Sequence, residues 1–171
     1  MNTSQFQKIK LLLLDVDGVL TDGSIAYTED RTETKVFNVK DGLGIKMLHQ
    51  SGINTGIVTG RSSSALLRRC RELGIDRVFD SVGDKAEVLD QILKETGLTS
   101  EEIAFIGDDL PDLPILRKVG LGIAVADAHA LIREQADMIT KNNGGHGAVR
   151  EVCEMILKSK GVWQQLMRQW A

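Results

Sequence analysis

The chain has 171 residues, of which 42% are hydrophobic and 26% charged, with a formal net charge of −3. These values suit one domain with a buried core, here residues 1–171, and the acidic excess argues against a general nucleic-acid binder. No apolar run reaches the roughly 18 residues of a membrane helix, and the polar N-terminus is unlike a signal peptide. We therefore expect a cytoplasmic protein that binds neither nucleic acid nor membrane. Cys70 and Cys153 fall on predicted apolar helix faces and are interpreted as reduced core thiols.

The first predicted strand covers residues 9–14, a short apolar run. Asp15 and Asp17 follow at once, so two carboxylates stand at the carboxyl edge of a sheet, where open α/β sheets bind their ligands. Residues 24–27 and 34–39 are then predicted to pair as a hairpin (about 24–39) that projects from the main sheet, because a polar turn separates them.

The rest of the chain alternates between strands and helices. Strands are predicted over residues 53–58, 77–80, 103–106, 121–125 and 138–140, the last at an edge of the sheet. Helices are predicted over residues 42–51, from 62 to 73, 85–96, up to about 119, from 128, and over 148–158. This alternation favours an α/β fold with a doubly wound, mainly parallel sheet and helices on both faces.

A C-terminal tail (about 161–171) follows the last predicted helix of the core. Trp163, Leu166, Met167 and Trp170 recur there at helical spacing. Two interpretations stay open: the stripe packs on its own domain, or it docks on another subunit.

Further candidate residues stand at other strand ends. Thr59 ends the second core strand, Lys85 begins the helix after the third, and Asp108 follows the fourth. Asp109 and Asp112 lie just beyond and are interpreted as supporting residues. Because parallel strands bring their carboxyl ends to one edge, we expect these side chains to converge with the first two carboxylates.

The combined set is typical of phosphoryl transfer to a carboxylate. Asp15, Asp17 and Asp108 offer the oxygen ligands that Mg²⁺ prefers, while Lys85 and the Thr59 hydroxyl suit phosphate oxygens. We interpret Asp15 as the nucleophile that attacks phosphorus. Asp17 is interpreted as the acid that protonates the leaving alkoxide and then as the base that activates water.

Residues 15–22, 59–61, Lys85 and 107–112 resemble, in order, the four motifs of the haloacid dehalogenase superfamily of phosphatases. The resemblance covers nearly the whole chain and implies a Rossmann-like α/β fold with Mg²⁺ as the cofactor. Members often insert a cap domain between the first three motifs. The segments between those motifs are too short here, so we expect no cap domain.

The hairpin and residues 37–42, 125–129 and 144–151 resemble more narrowly the family of 3-deoxy-D-manno-octulosonate 8-phosphate phosphatases. This resemblance implies Mg²⁺-dependent hydrolysis of a small sugar phosphate through an aspartyl phosphate, in lipopolysaccharide precursor synthesis. It also implies a homotetramer in which hairpins join and a neighbour's chain end helps to cover the site. The tail suits that role.

Gly60 and Arg61 directly follow Thr59 and are interpreted as substrate-binding residues. An arginine binds a carboxylate bidentately, and the octulosonate carries one; the alternative is a solvated arginine. Relatives that act on nine-carbon acid phosphates are expected to have Glu at the position of Arg61. Arginine therefore favours the eight-carbon acid, with a nine-carbon substrate as the alternative.

Two rival functions share parts of this pattern. A signalling receiver domain also combines Mg²⁺, paired acids, threonine and lysine, but its acceptor aspartate lies on a later strand, and nothing resembling it follows Val58. A catalytically silent oligomerisation module would be favoured by loss of the nucleophile or the lysine. Both Asp15 and Lys85 are present.

Overall fold

A computed structural model describes residues 3–30 and 33–170. The strands are, in chain order, β1 Leu11–Leu14, β2 Ala26–Tyr27, β3 Glu33–Thr34, β4 Asn54–Val58, β5 Arg77–Phe79, β6 Ile103–Gly107, β7 Leu121–Ala124 and β8 Met138–Ile139. The helices are α1 Thr3–Lys8, α2 Val39–Gln50, α3 Ser64–Leu73, α4 Lys85–Thr96, α5 Leu113–Leu116, α6 Ala130–Gln135, α7 Ala148–Ser159 and α8 Trp163–Met167. None of the helices in these two ranges combines the length and the apolar character needed to cross a membrane.

The central sheet is parallel and has the strand order β5-β4-β1-β6-β7-β8. Leu14 of β1 pairs with Ile57 of β4 on one side and with Ile106 of β6 on the other. The chain builds outward from β1 through β4 and β5, then crosses back to β6. A crevice therefore forms at the carboxyl ends of β1 and β6, where such sheets bind ligands. The predicted doubly wound α/β fold is confirmed.

The four leucines of β1 are all buried, as expected for a strand covered by helices on both faces. On one face, α2 packs closely against α7, where a Cβ on Gly44 would lie 3.1 Å from the Cys153 Cβ. Asp41, buried in α2, accepts a hydrogen bond from the Arg150 N–H in the first turn of α7 at 2.7 Å. That bond satisfies a donor that the helix itself leaves unpaired and fixes α7 against α2.

The hairpin is shorter than the sequence predicts. Within the described residues, its two strands pair only Ala26 with Thr34 and Tyr27 with Glu33, and residues 35–38 are not strand. The Asn38 side chain accepts the Lys40 N–H at 2.9 Å and begins α2 at Val39. This N-cap competes with strand pairing, so the prediction of strand up to residue 39 was wrong. Part of the predicted turn, residues 31 and 32, lies outside the described residues.

The chain ends differ from the predictions in smaller ways. The N-terminal helix α1 was not predicted; it buries Phe6 against the core. At the other end, Trp163, Leu166 and Met167 of α8 pack half-buried on the protein's own core, and the Trp170 side chain lies outside the described residues. Contact of this tail with a neighbouring subunit stays a prediction. Cys70 and Cys153 are free and buried, as predicted.

Candidate active site

A cavity of about 280 Å³ opens at the carboxyl ends of the central strands. Every candidate site residue named from the sequence lines it: Asp15, Asp17, Thr59, Gly60, Arg61, Lys85, Asp108, Asp109 and Asp112. The structure therefore brings together residues from four separate stretches of the chain, as parallel strands with their carboxyl ends at one edge require.

Strand pairing and helix capping place these residues. The Asp15 N–H donates to the Ile106 carbonyl at 3.0 Å, which continues the pairing of β1 with β6 by one residue. The Thr59 N–H donates to the Phe79 carbonyl at 2.9 Å and does the same for β4 and β5. Lys85 is the first residue of α4, whose N-cap Asp84 accepts the Ala86 N–H at 2.8 Å. The positions of Asp15, Thr59 and Lys85 are thus set by hydrogen bonds that backbone N–H groups donate.

Asp15, Lys85, Asp108 and Asp112 form a group that we call the carboxylate–lysine cluster. The Lys85 Nζ donates to Asp15 Oδ1 at 2.7 Å and to Asp112 Oδ1 at 2.5 Å, and all three of these residues are buried. The other oxygen of Asp112 accepts the Asp108 N–H at 2.9 Å. Asp112 therefore holds both the lysine and the loop that carries Asp108.

The carboxylate–lysine cluster has more negative than positive formal charge. Burial raises the pKa of Asp15 to about 6, although the Lys85 ammonium beside it works in the opposite direction. Burial, together with the charges of Asp15 and Asp112, raises the pKa of Asp108 to about 8. Burial alone would lower the pKa of Lys85, but the same two carboxylates outweigh it and raise that pKa. One ammonium does not balance three carboxylates.

A divalent cation fits this imbalance. Carboxylate oxygens of Asp15, Asp108 and Asp112 lie within 4.8 Å of one another. Three carboxylates and one ammonium leave a formal charge of −2, and a set of oxygen donors alone suits Mg²⁺. The sequence named Asp17 as the third ligand, whereas the Asp17 carboxylate here pairs with Lys35 and Arg61. Its part in metal binding stays a prediction.

Glycines let two loops approach this cluster closely. Gly18, just after β1, has φ +92°, and a Cβ there would lie 2.1 Å from Asp108 Oδ2. A Cβ on Gly144 would lie 1.7 Å from the Gly18 carbonyl oxygen, and the Gly145 N–H donates to the Val19 carbonyl at 2.9 Å. The loop before α7 therefore supports the loop after β1 from behind, backbone against backbone.

Thr59 and Asp109 both line the cavity but differ in exposure. Thr59 is buried and lines the cavity beside Gly60. Asp109 is exposed, and its Oδ1 accepts the Leu110 N–H at 2.8 Å, which shapes the turn after β6. Thr59 is thus available to a ligand in the cavity, while Asp109 acts on the backbone.

Asp17, Glu33, Lys35 and Arg61 form a second group, which we call the hairpin ring. Lys35 pairs with Asp17 Oδ1 and lies 3.1 Å from Glu33 Oε1. Arg61 donates from Nη2 to Glu33 Oε2 at 2.7 Å, and its Nε lies 3.5 Å from Asp17 Oδ2. Anions and cations thus alternate around a closed circuit.

The sequence did not reveal Glu33 and Lys35 as residues near the site. They stand two apart at the end of the hairpin, a spacing that puts side chains on the same face of an extended chain. That spacing is the one available signal, and it does not say which face meets the cavity. Their place depends on how the hairpin folds back toward β1.

Comparison with known proteins decides the family. A family model for haloacid dehalogenase-like hydrolases matches residues 77–152. The 3-deoxy-D-manno-octulosonate 8-phosphate phosphatase KdsC of Escherichia coli strain K12 is 44% identical over 155 residues, which covers 91% of this chain and 82% of that protein. The chain belongs to the haloacid dehalogenase-like hydrolases.

Solved structures of haloacid dehalogenase-like hydrolases match nearly the whole fold. A probable YrbI-family phosphatase from Pseudomonas syringae is 48% identical with a TM-score of 0.96, covering 98% of this chain and 96% of that one. The 3-deoxy-D-manno-octulosonate 8-phosphate phosphatase from Moraxella catarrhalis is 44% identical with a TM-score of 0.97, covering 99% and 97%. Among the described residues, the hairpin, α2 and β4 fill the chain between Asp17 and Thr59, and α3 and β5 fill it between Thr59 and Lys85, as the expected capless fold requires.

Proposed function

We propose that the protein hydrolyses the phosphate monoester of 3-deoxy-D-manno-octulosonate 8-phosphate, with Mg²⁺ as its cofactor, in lipopolysaccharide precursor synthesis. The observation that carries the proposal is the buried carboxylate–lysine cluster, in a chain 44% identical to enzymes of that name. The similar Moraxella catarrhalis enzyme was solved with a magnesium ion, a phosphate ion and KDO.

The hydrolysis proceeds in two displacements. A carboxylate oxygen of Asp15 attacks phosphorus and forms an aspartyl phosphate as the bond from phosphorus to the sugar oxygen breaks. Asp17 gives its proton to that departing oxygen. In the second displacement Asp17 takes a proton from water, the water oxygen attacks phosphorus, and the Asp15 carboxylate leaves.

The other residues of the cavity hold the phosphate. Asp15, Asp108 and Asp112 lie where their oxygens could hold the cation, whose charge would screen the approach of an anionic phosphate to a carboxylate. Lys85 fixes Asp15 through its 2.7 Å hydrogen bond and adds positive charge beside the phosphoryl oxygens. The buried Thr59 hydroxyl donates to another of those oxygens.

Arg61 selects the substrate in this proposal. Its side chain is 44% exposed at the cavity, where the guanidinium can bind the carboxylate of the octulosonate bidentately. A nine-carbon acid phosphate is the second candidate substrate, and glutamate at this position would favour it. The complete cluster of Asp15, Lys85 and Asp108 speaks against a catalytically silent oligomerisation module.

A homotetramer is part of the proposal. Ile25, Tyr27, Val36 and Val39 are exposed around the hairpin, and contiguous exposed apolar side chains favour association. Light scattering in solution, with Tyr27→Asp as the disrupting variant, tests the assembly. A cytoplasmic location is also proposed, since the free, buried Cys70 and Cys153 suit a reducing compartment.

Phosphate release from a panel of sugar phosphates tests the chemistry and the substrate. With Mg²⁺ present, we expect the octulosonate 8-phosphate to give the highest kcat/KM. Asp15→Asn should lower kcat by about three orders of magnitude or more, since it removes the nucleophile. Asp90→Asn makes the same chemical change at an exposed position and should leave kcat unchanged.

Two outcomes would contradict this proposal separately. Full activity in Asp15→Asn would rule out the aspartyl-phosphate mechanism. Equal kcat/KM values for the octulosonate 8-phosphate and for generic phosphate esters would remove the substrate assignment while leaving the chemistry in place.

A further inference from the structure

We propose that Lys35 is a positioning residue for Asp17, holding one oxygen of its carboxylate so that the other faces the leaving group of the substrate. This inference rests on the proposed function, because it deepens the part that Asp17 plays in it. The residue comes from the hairpin, outside the four motifs that define the site.

Lys35 is turned inward between two exposed neighbours in the chain. Its side chain is 3% exposed, whereas the adjacent Val36 is 76% exposed and Tyr27 of the paired strand is 67% exposed. Burying an ammonium is costly unless anions compensate it. The compensating anions are Asp17, which it contacts through Oδ1, and Glu33 at 3.1 Å. The hairpin thus delivers a buried cation to the side of Asp17.

The two carboxylate oxygens of Asp17 differ in their hydrogen bonding. Oδ1 accepts from Lys35, while Oδ2 is buried and makes no hydrogen bond within the described residues. The Arg61 Nε lies 3.5 Å from Oδ2, which is within ion-pair range but without hydrogen-bond geometry. Asp17 lines the cavity and its buried Oδ2 has no hydrogen-bond partner among the described residues, so we assign proton exchange with substrate or water to this oxygen.

Proton transfer requires this arrangement. A general acid works only when its proton lies within hydrogen-bond reach of the departing oxygen, and a freely rotating carboxylate spends little time there. A bond to one oxygen fixes the rotation of the whole group. Glu33 in turn pairs with Lys35 through Oε1 and with Arg61 through Oε2, so both cations beside Asp17 are held by the same carboxylate.

The leaving group separates this role from a structural one. A sugar alkoxide departs only if it is protonated, whereas p-nitrophenolate departs readily without a proton. Lys35→Met should therefore lower kcat for the octulosonate 8-phosphate by about tenfold to hundredfold, part of the 10²–10⁴ typical of general acid catalysis. For p-nitrophenyl phosphate, kcat should stay within about threefold of the wild type.

Lys40→Met is the matched control, since Lys40 is exposed, lies five residues further along the chain and contributes nothing to the hairpin ring. It should leave both kcat values unchanged. Lys35→Arg keeps a cation at the position and should recover most of the sugar-ester activity. The melting temperature of each variant, measured alongside, reports whether the domain is folded.

An equal loss of kcat for both esters in folded Lys35→Met, or no loss for either, would overturn the inference. If Lys35→Met does not fold, Glu33→Gln replaces it, because it loosens Lys35 while keeping both cations. The same selective loss, of smaller size, is then expected, and an equal change for both esters would be contradictory.

The two proposals fail in different ways. A wild-type protein that hydrolyses other sugar phosphates but not the octulosonate ester loses the substrate assignment, and the Lys35 comparison proceeds with those esters. A wild-type protein that hydrolyses no phosphate ester at all overturns both.

Discussion

The carboxylate–lysine cluster and the hairpin ring contain the same kinds of charge, yet the first is built from segments that follow strands of the central sheet, whereas the second takes some of its residues from a short hairpin. In the cluster, Lys85 and Asp112 are buried and belong to segments fixed by strand pairing and helix caps. In the ring, Arg61 is 44% exposed and Glu33 stands on a strand of two residues. The proposed nucleophile and its lysine thus lie in segments that strand pairing and a helix cap hold in place. The orientation of Asp17 and the choice of substrate are assigned to the hairpin ring.

The strongest test of this contrast is Lys85→Met. It leaves Asp15, Asp108 and Asp112 without their cation, and breaking a buried ion pair typically costs about 3–5 kcal/mol of folding free energy. We expect a loss of that order in denaturant unfolding without metal, together with loss of phosphatase activity. Lys118→Met removes an exposed lysine that lies 3.4 Å from Asp90 and should cost under about 1 kcal/mol. Equal costs for the two variants would mean that burial does not distinguish the cluster.

The pH dependence of stability and of metal binding should also distinguish the carboxylate–lysine cluster from the hairpin ring. Because burial and neighbouring charges raise the pKa of Asp108 to about 8, the metal-free protein keeps a proton there that the unfolded chain has already lost above its ordinary pKa. The folded state then binds more protons than the unfolded one, so stability of the metal-free protein falls as pH rises toward 8.

Mg²⁺ must displace that proton, so its affinity should rise by up to about tenfold per pH unit between pH 6 and 8. Melting temperatures with EDTA and with Mg²⁺, across that range, measure both effects. Asp108→Asn should weaken both pH dependences, whereas unchanged slopes in that variant would assign the proton to another group.

The smallest effect is expected in the hairpin ring itself. Arg61→Gln should raise KM for the octulosonate 8-phosphate by about tenfold while changing kinetics on p-nitrophenyl phosphate little, because only the first carries a carboxylate. Since the side chain is partly exposed, the folding free energy should change by less than about 1 kcal/mol. An equal rise in KM for both esters would give Arg61 a part in phosphate binding instead.

The central sheet could be predicted from the sequence more fully than the hairpin. The helix α4 begins and ends where the sequence predicts, since Asp84 and Gly97 cap it locally. The strand ends that carry Asp15 and Asp108 could also be predicted, because apolar runs and the residues after them mark the edge of a parallel sheet. Local signals therefore sufficed for the fold and for most of the cavity lining.

What the sequence did not predict depends on contacts between distant segments. Convergence of strand ends indicates that carboxylates meet, but not that Asp112 joins Asp15 and Asp108 while Asp17 turns toward Lys35. Side-chain direction at a loop is decided by partners that come from elsewhere in the chain. The hairpin is the extreme case, because the cap of α2 at Asn38 shortens it and its fold-back sets where Lys35 lies.

The contact between Gly144 and Gly18 has a consequence for synthesis on the ribosome. The loop that bears Asp15 is made well before Gly144 and Gly145, whose backbone supports it. The strand β1 likewise waits for β6 before both of its edges are paired. A nascent chain that stops short of that loop holds every catalytic side chain yet lacks the wall against which they are set. The active site is thus completed well after its catalytic residues have been made.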